Sequence, residues 1–196
     1  MPAKTAPLKP GKIYHIYNRG INGQNIFFEP RNYSSFMALY VKHISPIAST
    51  YAYCLLPDHF HFLVRIRIHA DPTLPPPNIA YQLAYLLTSY TKAINETYQR
   101  IGSLFQGKSV RQEIASDSLP HLLVTYIHHN PQKHQFIDDF RQWPYSSYQS
   151  LTEEATLHLD RDEVLNWFGG MSILMKMHET PLVNPALEAR LEEIPA

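Results

Sequence analysis

Apolar and polar positions along the chain alternate with two periods, short for strands and long for helices. Lys12 to Asn18, with Ile13, Tyr14, Ile16 and Tyr17, is β-branched and aromatic and predicts a first strand, after which Arg19-Gly20 opens a turn. Asn32 to His43 carries Phe36, Met37, Leu39, Tyr40 and Val41 at helical spacing. Thr50 to Leu56 predicts a second strand and His59 to Ile68 a third, and the short link Pro57-Asp58 makes the two a hairpin. Ala70 to Pro77 contains Pro72, Pro75, Pro76 and Pro77, which fix φ and cannot donate, so this stretch predicts a stiff connector. Asn78 to Gln99 places Ile79, Leu83, Leu86, Leu87, Tyr90 and Ile94 on one helical stripe, with Gly102 as its end. Ser109 to Ala115 is a fourth strand. Ser118-Leu119-Pro120 then opens a helix, with Ser118 or Asp117 as cap and Pro120 in the first turn. That helix runs through Leu122, Leu123 and Tyr126 and is expected to stop near Asn130, because Pro131 disfavours helix at the residue before it. Two further helices are expected at Asp160–Phe168 and Ser172–His178.

The order βαββαβ predicts an α+β, ferredoxin-like (split βαβ) fold: an antiparallel sheet with helices on one face and a C-terminal helical extension. The expected division is a domain over residues 1–143 and an acidic, mainly helical extension over 144–196. At 196 residues the chain can bury a core without staples. Cys54 is its single cysteine, so an intrachain disulfide is excluded and a reducing, cytoplasmic setting is expected. No apolar run approaches the roughly 18 residues of a membrane span, and Met1-Pro2-Ala3-Lys4 does not begin a signal peptide, so a soluble protein without a membrane partner is expected. The net charge of zero hides an asymmetry: residues 1–111 hold twelve bases and four acids, net +8, and the remainder nets −8. Such a split suggests a polyanion-binding face beside an acidic tail.

The candidate chemistry centres on His59-Phe60-His61. Side chains two apart on a strand share a face, roughly 6.6 Å apart along it, so these imidazoles can converge on one metal ion while Phe60 enters a core. With 11 histidines in the chain, chance yields roughly 0.6 such pairs, so the surroundings must support the reading. On the last helix of the βαββαβ unit, Tyr126 and Asn130 lie one turn apart on one face. Packed beside the histidine strand, Asn130 can add an oxygen ligand and Tyr126 a phenol directed at a metal-bound phosphate. Two imidazoles and an amide suit Mg²⁺ or Mn²⁺, with Mn²⁺ favoured by imidazole, although zinc would bind histidine too. Attack by the phenol on a phosphodiester gives a 5′-phosphotyrosine and a free 3′-hydroxyl, which keeps the bond energy for rejoining.

Among the 13 tyrosines, Tyr98 is the second candidate nucleophile, whereas Tyr90, Tyr145 and Tyr148 are expected to pack. His15 is expected to pack, His128 and His129 to serve as cap or surface groups near a helix C-terminus, and His121 to face solvent. Arg65 and Arg67 follow the paired histidines on the same strand face and are candidate phosphate contacts, as are Arg19, Lys108 and Arg111.

Several segments, in order over roughly residues 10 to 150, together resemble the single-tyrosine HUH transposases, and among them the REP-associated tyrosine transposases. They are Tyr14 to Gly20 (YHIYNRG), Tyr51 to Val64 (YAYCLLPDHFHFLV), Ser89 to Asn95 (SYTKAIN), Gly102 to Lys108 (GSLFQGK), Tyr126 to Pro131 (YIHHNP) and Trp143 to Tyr148 (WPYSSY). The resemblance implies His59, His61 and Asn130 as metal ligands, Tyr126 as nucleophile, Mg²⁺ or Mn²⁺ as cofactor, and hairpin-bearing single-stranded DNA as substrate, a palindromic repeat or an insertion-sequence end. It implies a monomer or a homodimer. The chain departs from the family pattern in its neutral overall charge, in Asp58 where Asn or Glu is common, and in Lys108 where Arg is common; lysine lacks the bidentate phosphate fork. Two other readings share these residues: a replication-initiator or relaxase-type nickase, and a catalytically silent DNA-binding regulator with the same fold. Retention of His59, His61 and Tyr126 together speaks against the silent regulator.

Overall fold

The computed structural model describes residues 6–68, 78–114, 120–153 and 158–179. Four strands, β1 (Ile13–Arg19), β2 (Ala48–Leu55), β3 (His59–Ile66) and β4 (Val110–Ile114), form one antiparallel sheet in the order β2-β3-β1-β4. Between and after them run α1 (Pro30–His43), α2 (Ile79–Tyr98), α3 (Pro120–Lys133), α4 (Tyr148–Thr152), α5 (Arg161–Phe168) and α6 (Met171–Glu179). This is the α+β, split-βαβ arrangement that the alternation predicts. The proposed cap at Asp117 or Ser118 and the proline connector at 70–77 lie outside the described residues.

The two central strands set the layers. Along β3, Phe60, Phe62, Val64 and Ile66 join Tyr14 and Ile16 of β1 in a core with Phe36, Tyr40, Leu86 and Tyr90 of α1 and α2. The alternate residues face the other way, where Ile13 and Leu63 meet Leu123, Val124, Tyr126 and Ile127 of α3. The expectation of helices on one face therefore holds for α1 and α2, while α3 and the extension take the second face. Both faces are covered, and the central strands are accordingly buried at nearly every position. In β2 the register shifts between Thr50 and Ala52, so Tyr51 and Ala52 both enter the second core.

Local signals place the ends. Pro30 starts α1, and Glu29 and Asn32 cap it reciprocally. Asn78 accepts from the Tyr81 amide at the start of α2. That helix closes at Gln99, left-handed with φ 52°, three residues before the expected Gly102. The helix α3 does not stop at Asn130: it passes through Pro131 to Lys133. Pro131 is buried, and the amides of His134 and Phe136 bond back to the carbonyls of Asn130 and Pro131, so tertiary burial and this closing turn outweigh the local bias.

The extension is built into the sheet. Leu55 N–H donates to Tyr145 O and Ser147 N–H to Tyr53 O, so residues 145–147 cover the exposed edge of β2. Leu151, Val164, Phe168 and Leu174 then complete the second core. Residues 180–196, and with them part of the expected acidic tail, lie outside the described residues. Leu151 has no exposed surface, so Leu151→Ala should cost about 2–5 kcal/mol in urea unfolding. A loss of under ~0.5 kcal/mol would show that the extension is merely attached.

Candidate functional site

Register decides what the histidines meet. Opposed residues in antiparallel strands point to the same face. Arg19 lies opposite His59, Tyr17 opposite His61, and His15 opposite Leu63, so all stand on the α3 face. Both histidines are buried beneath α3. Their rings are perpendicular with centroids 5.2 Å apart. Tyr126, 6% exposed, meets the His61 ring edge-on at 6.2 Å. One turn on, Asn130 is fully buried, and its amide nitrogen donates to the Tyr126 carbonyl at 2.8 Å.

Each imidazole is backed on one nitrogen. His59 Nδ1 lies 2.7 Å from Asp58 Oδ1, and His61 Nδ1 lies 2.9 Å from His15 Nε2. Among the described residues, His59 Nε2, His61 Nε2 and Asn130 Oδ1 are buried and have no hydrogen-bond partner. Buried polar atoms without partners are costly; of these three groups, the His61 ring meets Tyr126 and the Asn130 amide bonds its carbonyl, while the His59 ring stands against that of His61. No three His, Cys, Asp or Glu side chains gather as a metal-holding group among the described residues; here the third group beside two imidazoles is an amide. Although burial opposes it, the hydrogen bond to His59 holds the Asp58 carboxyl below its usual range. Burial pushes His15 down to about 3 and His61 well below the usual imidazole range, so both rings are neutral at pH 7.

The turn that presents Asp58 and His59 is itself pinned. Gly20 N–H donates to Asp58 O at 2.7 Å, and the amides of Ile26 and Phe27 converge on Pro57 O. A Cβ on Gly20 would lie 1.8 Å from the Gln24 carbonyl oxygen, so only glycine fits this approach. Above His59, the His134 ring sits at 4.7 Å, and Lys133 lies over the Tyr126 ring at 5.2 Å.

Other expectations need correction. For His15, packing was expected ahead of the alternative that it faces the site from the first strand; the alternative holds, since His15 is hydrogen-bonded to His61. His128 is no surface cap. It is fully buried and joined through Nδ1 to His178 Nε2 at 2.9 Å and through Nε2 to the Ser147 hydroxyl at 2.8 Å. His178 Nδ1 donates to Leu174 O, which makes one directional chain of neutral groups from Ser147 to α6. His129 Nε2 reaches His178 O. His121 rests edge-on against Phe168. Tyr98 lies on the opposite side of the sheet from the paired histidines, bonded to Glu29 and Asn32. Tyr90, Tyr145 and Tyr148 pack, as expected.

The arginines separate in the same way. Arg19 stands at the site beside His59. Arg65 has the expected face, but both its terminal nitrogens hold Glu163 of α5, whose carboxylate also accepts from Tyr51. It thus ties the extension down. Arg67 is exposed past the far end of β3. Arg111, opposite Ile16, faces the other side of the sheet, where it and Lys108 line a groove of about 470 Å³ along α2. They do not share the histidine pocket.

No family model matches the chain. A Haemophilus influenzae protein that bears the name REP-associated tyrosine transposase is 31% identical over 108 residues, which are 50% of this chain and 58% of that protein. The match thus spans little more than half of that relative. A solved structure of a REP-associated tyrosine transposase bound to a REP hairpin superposes with a TM-score of 0.61 at 14% identity, covering 80% of this chain and 88% of that one. At that identity the superposition shows a shared fold. In sequence and in fold, the chain resembles the REP-associated tyrosine transposases. No helix among the described residues is long and apolar enough to cross a membrane.

The histidine chain to α6 gives stability a pH dependence. Burial pushes His178 down to about 4, below the roughly 6.5 of an unfolded histidine. Its contribution is therefore full above pH 6.5 and is lost as pH falls from there through 4, by roughly 3 kcal/mol. Urea titrations across that range should show the loss, and His178→Gln should shrink it. An identical acid-side slope in the variant would contradict this assignment.

Proposed function

We propose that this chain is a metal-dependent single-tyrosine transposase that cuts and rejoins hairpin-bearing single-stranded DNA. The observation that carries the reading is the set of buried atoms without partners among the described residues, His59 Nε2, His61 Nε2 and Asn130 Oδ1, with Tyr126 against the His61 ring and one turn before Asn130. The likeness to REP-associated tyrosine transposases supports it, one of them bound to a REP hairpin.

Two imidazoles and an amide oxygen fit Mg²⁺ or Mn²⁺, with nitrogen favouring Mn²⁺. His59, His61 and Asn130 would hold the ion, which when bound neutralises charge on the scissile phosphate and orients it. Asp58 and His15 behind the imidazoles keep them aimed, the usual role of groups hydrogen-bonded to metal-ligating histidines. Tyr126 Oη attacks phosphorus; the Oη–P bond forms, the P–O3′ bond breaks, and the phenol proton leaves to solvent or the departing oxygen. The product is a 5′-phosphotyrosine beside a free 3′-hydroxyl. Attack by another 3′-hydroxyl reverses the exchange and releases Tyr126. Arg19, beside His59, and Lys133, over Tyr126, supply positive charge for the phosphate backbone.

A hairpin-bearing single strand incubated with Mn²⁺ should give a covalent adduct resistant to denaturation. Tyr126→Phe should abolish the adduct while hairpin binding persists, and Tyr98→Phe should leave it intact. An adduct that survives Tyr126→Phe would contradict the assignment of the nucleophile.

A further inference from the structure

The groove at Lys108 and Arg111, the His128–His178 chain and the Arg65–Glu163 tie lie outside the proposed reaction, whereas His15 touches one of its imidazoles directly. The geometry at His15 reaches furthest. We propose that His15 is a positioning residue that accepts the Nδ1 proton of His61 when a cation takes Nε2, an inference that rests on the metal reading above.

His15 Nε2 and His61 Nδ1 are 2.9 Å apart, and both rings are buried. The rings are nearly parallel, 11° apart with centroids at 5.1 Å, so the contact is fixed by packing as well as by the hydrogen bond. One proton lies between the two nitrogens, and it has two places to sit. If His61 Nδ1 carries it, His61 Nε2 is a bare lone pair and His15 carries its own proton on Nδ1. If His15 Nε2 carries it, His61 must bear its proton on Nε2, which then cannot bind a cation. His15 Nδ1 and His61 Nε2 are both buried and without partners among the described residues. Either arrangement therefore leaves two unpaired atoms, and the protein alone gives neither a clear advantage. A cation on His61 Nε2 satisfies one of them and selects the first arrangement. His59 needs no such choice, because the Asp58 carboxylate can only accept and so keeps the proton on Nδ1. The two imidazoles are thus backed unequally: one by an anion, the other by a neutral ring that can adapt.

The test measures Mn²⁺ binding to the full chain without DNA, by electron paramagnetic resonance, together with His ring tautomers by long-range ¹H–¹⁵N correlation with and without Mg²⁺. In wild type, Mg²⁺ should convert His61 to the Nδ1–H form. His15→Leu, which removes the acceptor, should weaken Mn²⁺ binding by about 10- to 100-fold. His15→Gln, whose Oε1 can accept from His61, should restore most of it. Unchanged affinity in His15→Leu, or equal losses in both variants, overturns the inference and leaves the metal reading standing. A wild type that binds no Mn²⁺ and keeps His61 as Nε2–H overturns both. Should His15→Leu fail to fold, the wild-type tautomer under Mg²⁺ still decides: Nδ1–H supports the inference and Nε2–H ends it.

Discussion

Strand β3 lies between β2 and β1 with protein on both faces, and this enclosure governs the rest of the structure. A strand in that place has no solvated side on which to put polar groups. Its phenylalanines serve one core, and its two histidines are driven beneath α3 into the other. A buried imidazole nitrogen without a partner costs free energy. Asp58 and His15 satisfy one nitrogen of each ring, and the opposite nitrogens remain available for a ligand. The same enclosure explains why α3 must be long: its turn at Tyr126 to Asn130 roofs the pocket and brings an amide and a phenol to it.

The extension contributes through the same face. Its segment at 145–147 seals β2 through an isolated bridge at Ser146, and α5 and α6 lean on α3. The Ser147–His128–His178 chain fixes that contact with directional bonds, while Glu163 ties down Arg65. Position along α3 is thereby set from behind, two residues before Asn130. The described part of the extension packs against α3, which lies over the paired histidines.

Much of this was legible in the sequence because local periodicity is short-ranged. Period-two alternation located β3 and put His59 and His61 on one face, and helical spacing located α1, α2 and the Tyr126–Asn130 pair. What escaped were pairings between distant residues. His15 meets His61 from 46 residues away, His128 meets His178 from 50, and Arg65 meets Glu163 from 98. No local pattern announces such partners; β1–β3 register and the path of the extension create them. The Tyr14-His15-Ile16 alternation did hold the needed signal for His15, since its parity with Tyr17 sets its face once the register is known. The end of α3 was misread for the converse reason: a strong local bias at Pro131 yields to burial and to the closing turn at His134 and Phe136.

The central claim is that two imidazole nitrogens are held ready for one cation, and pulsed electron paramagnetic resonance of bound Mn²⁺ tests it most directly. Protein labelled with ¹⁵N at histidine should show two directly coordinated imidazole nitrogens, one of which disappears in each of His59→Ala and His61→Ala. Mn²⁺ bound with no histidine nitrogen in its coordination sphere would contradict the account.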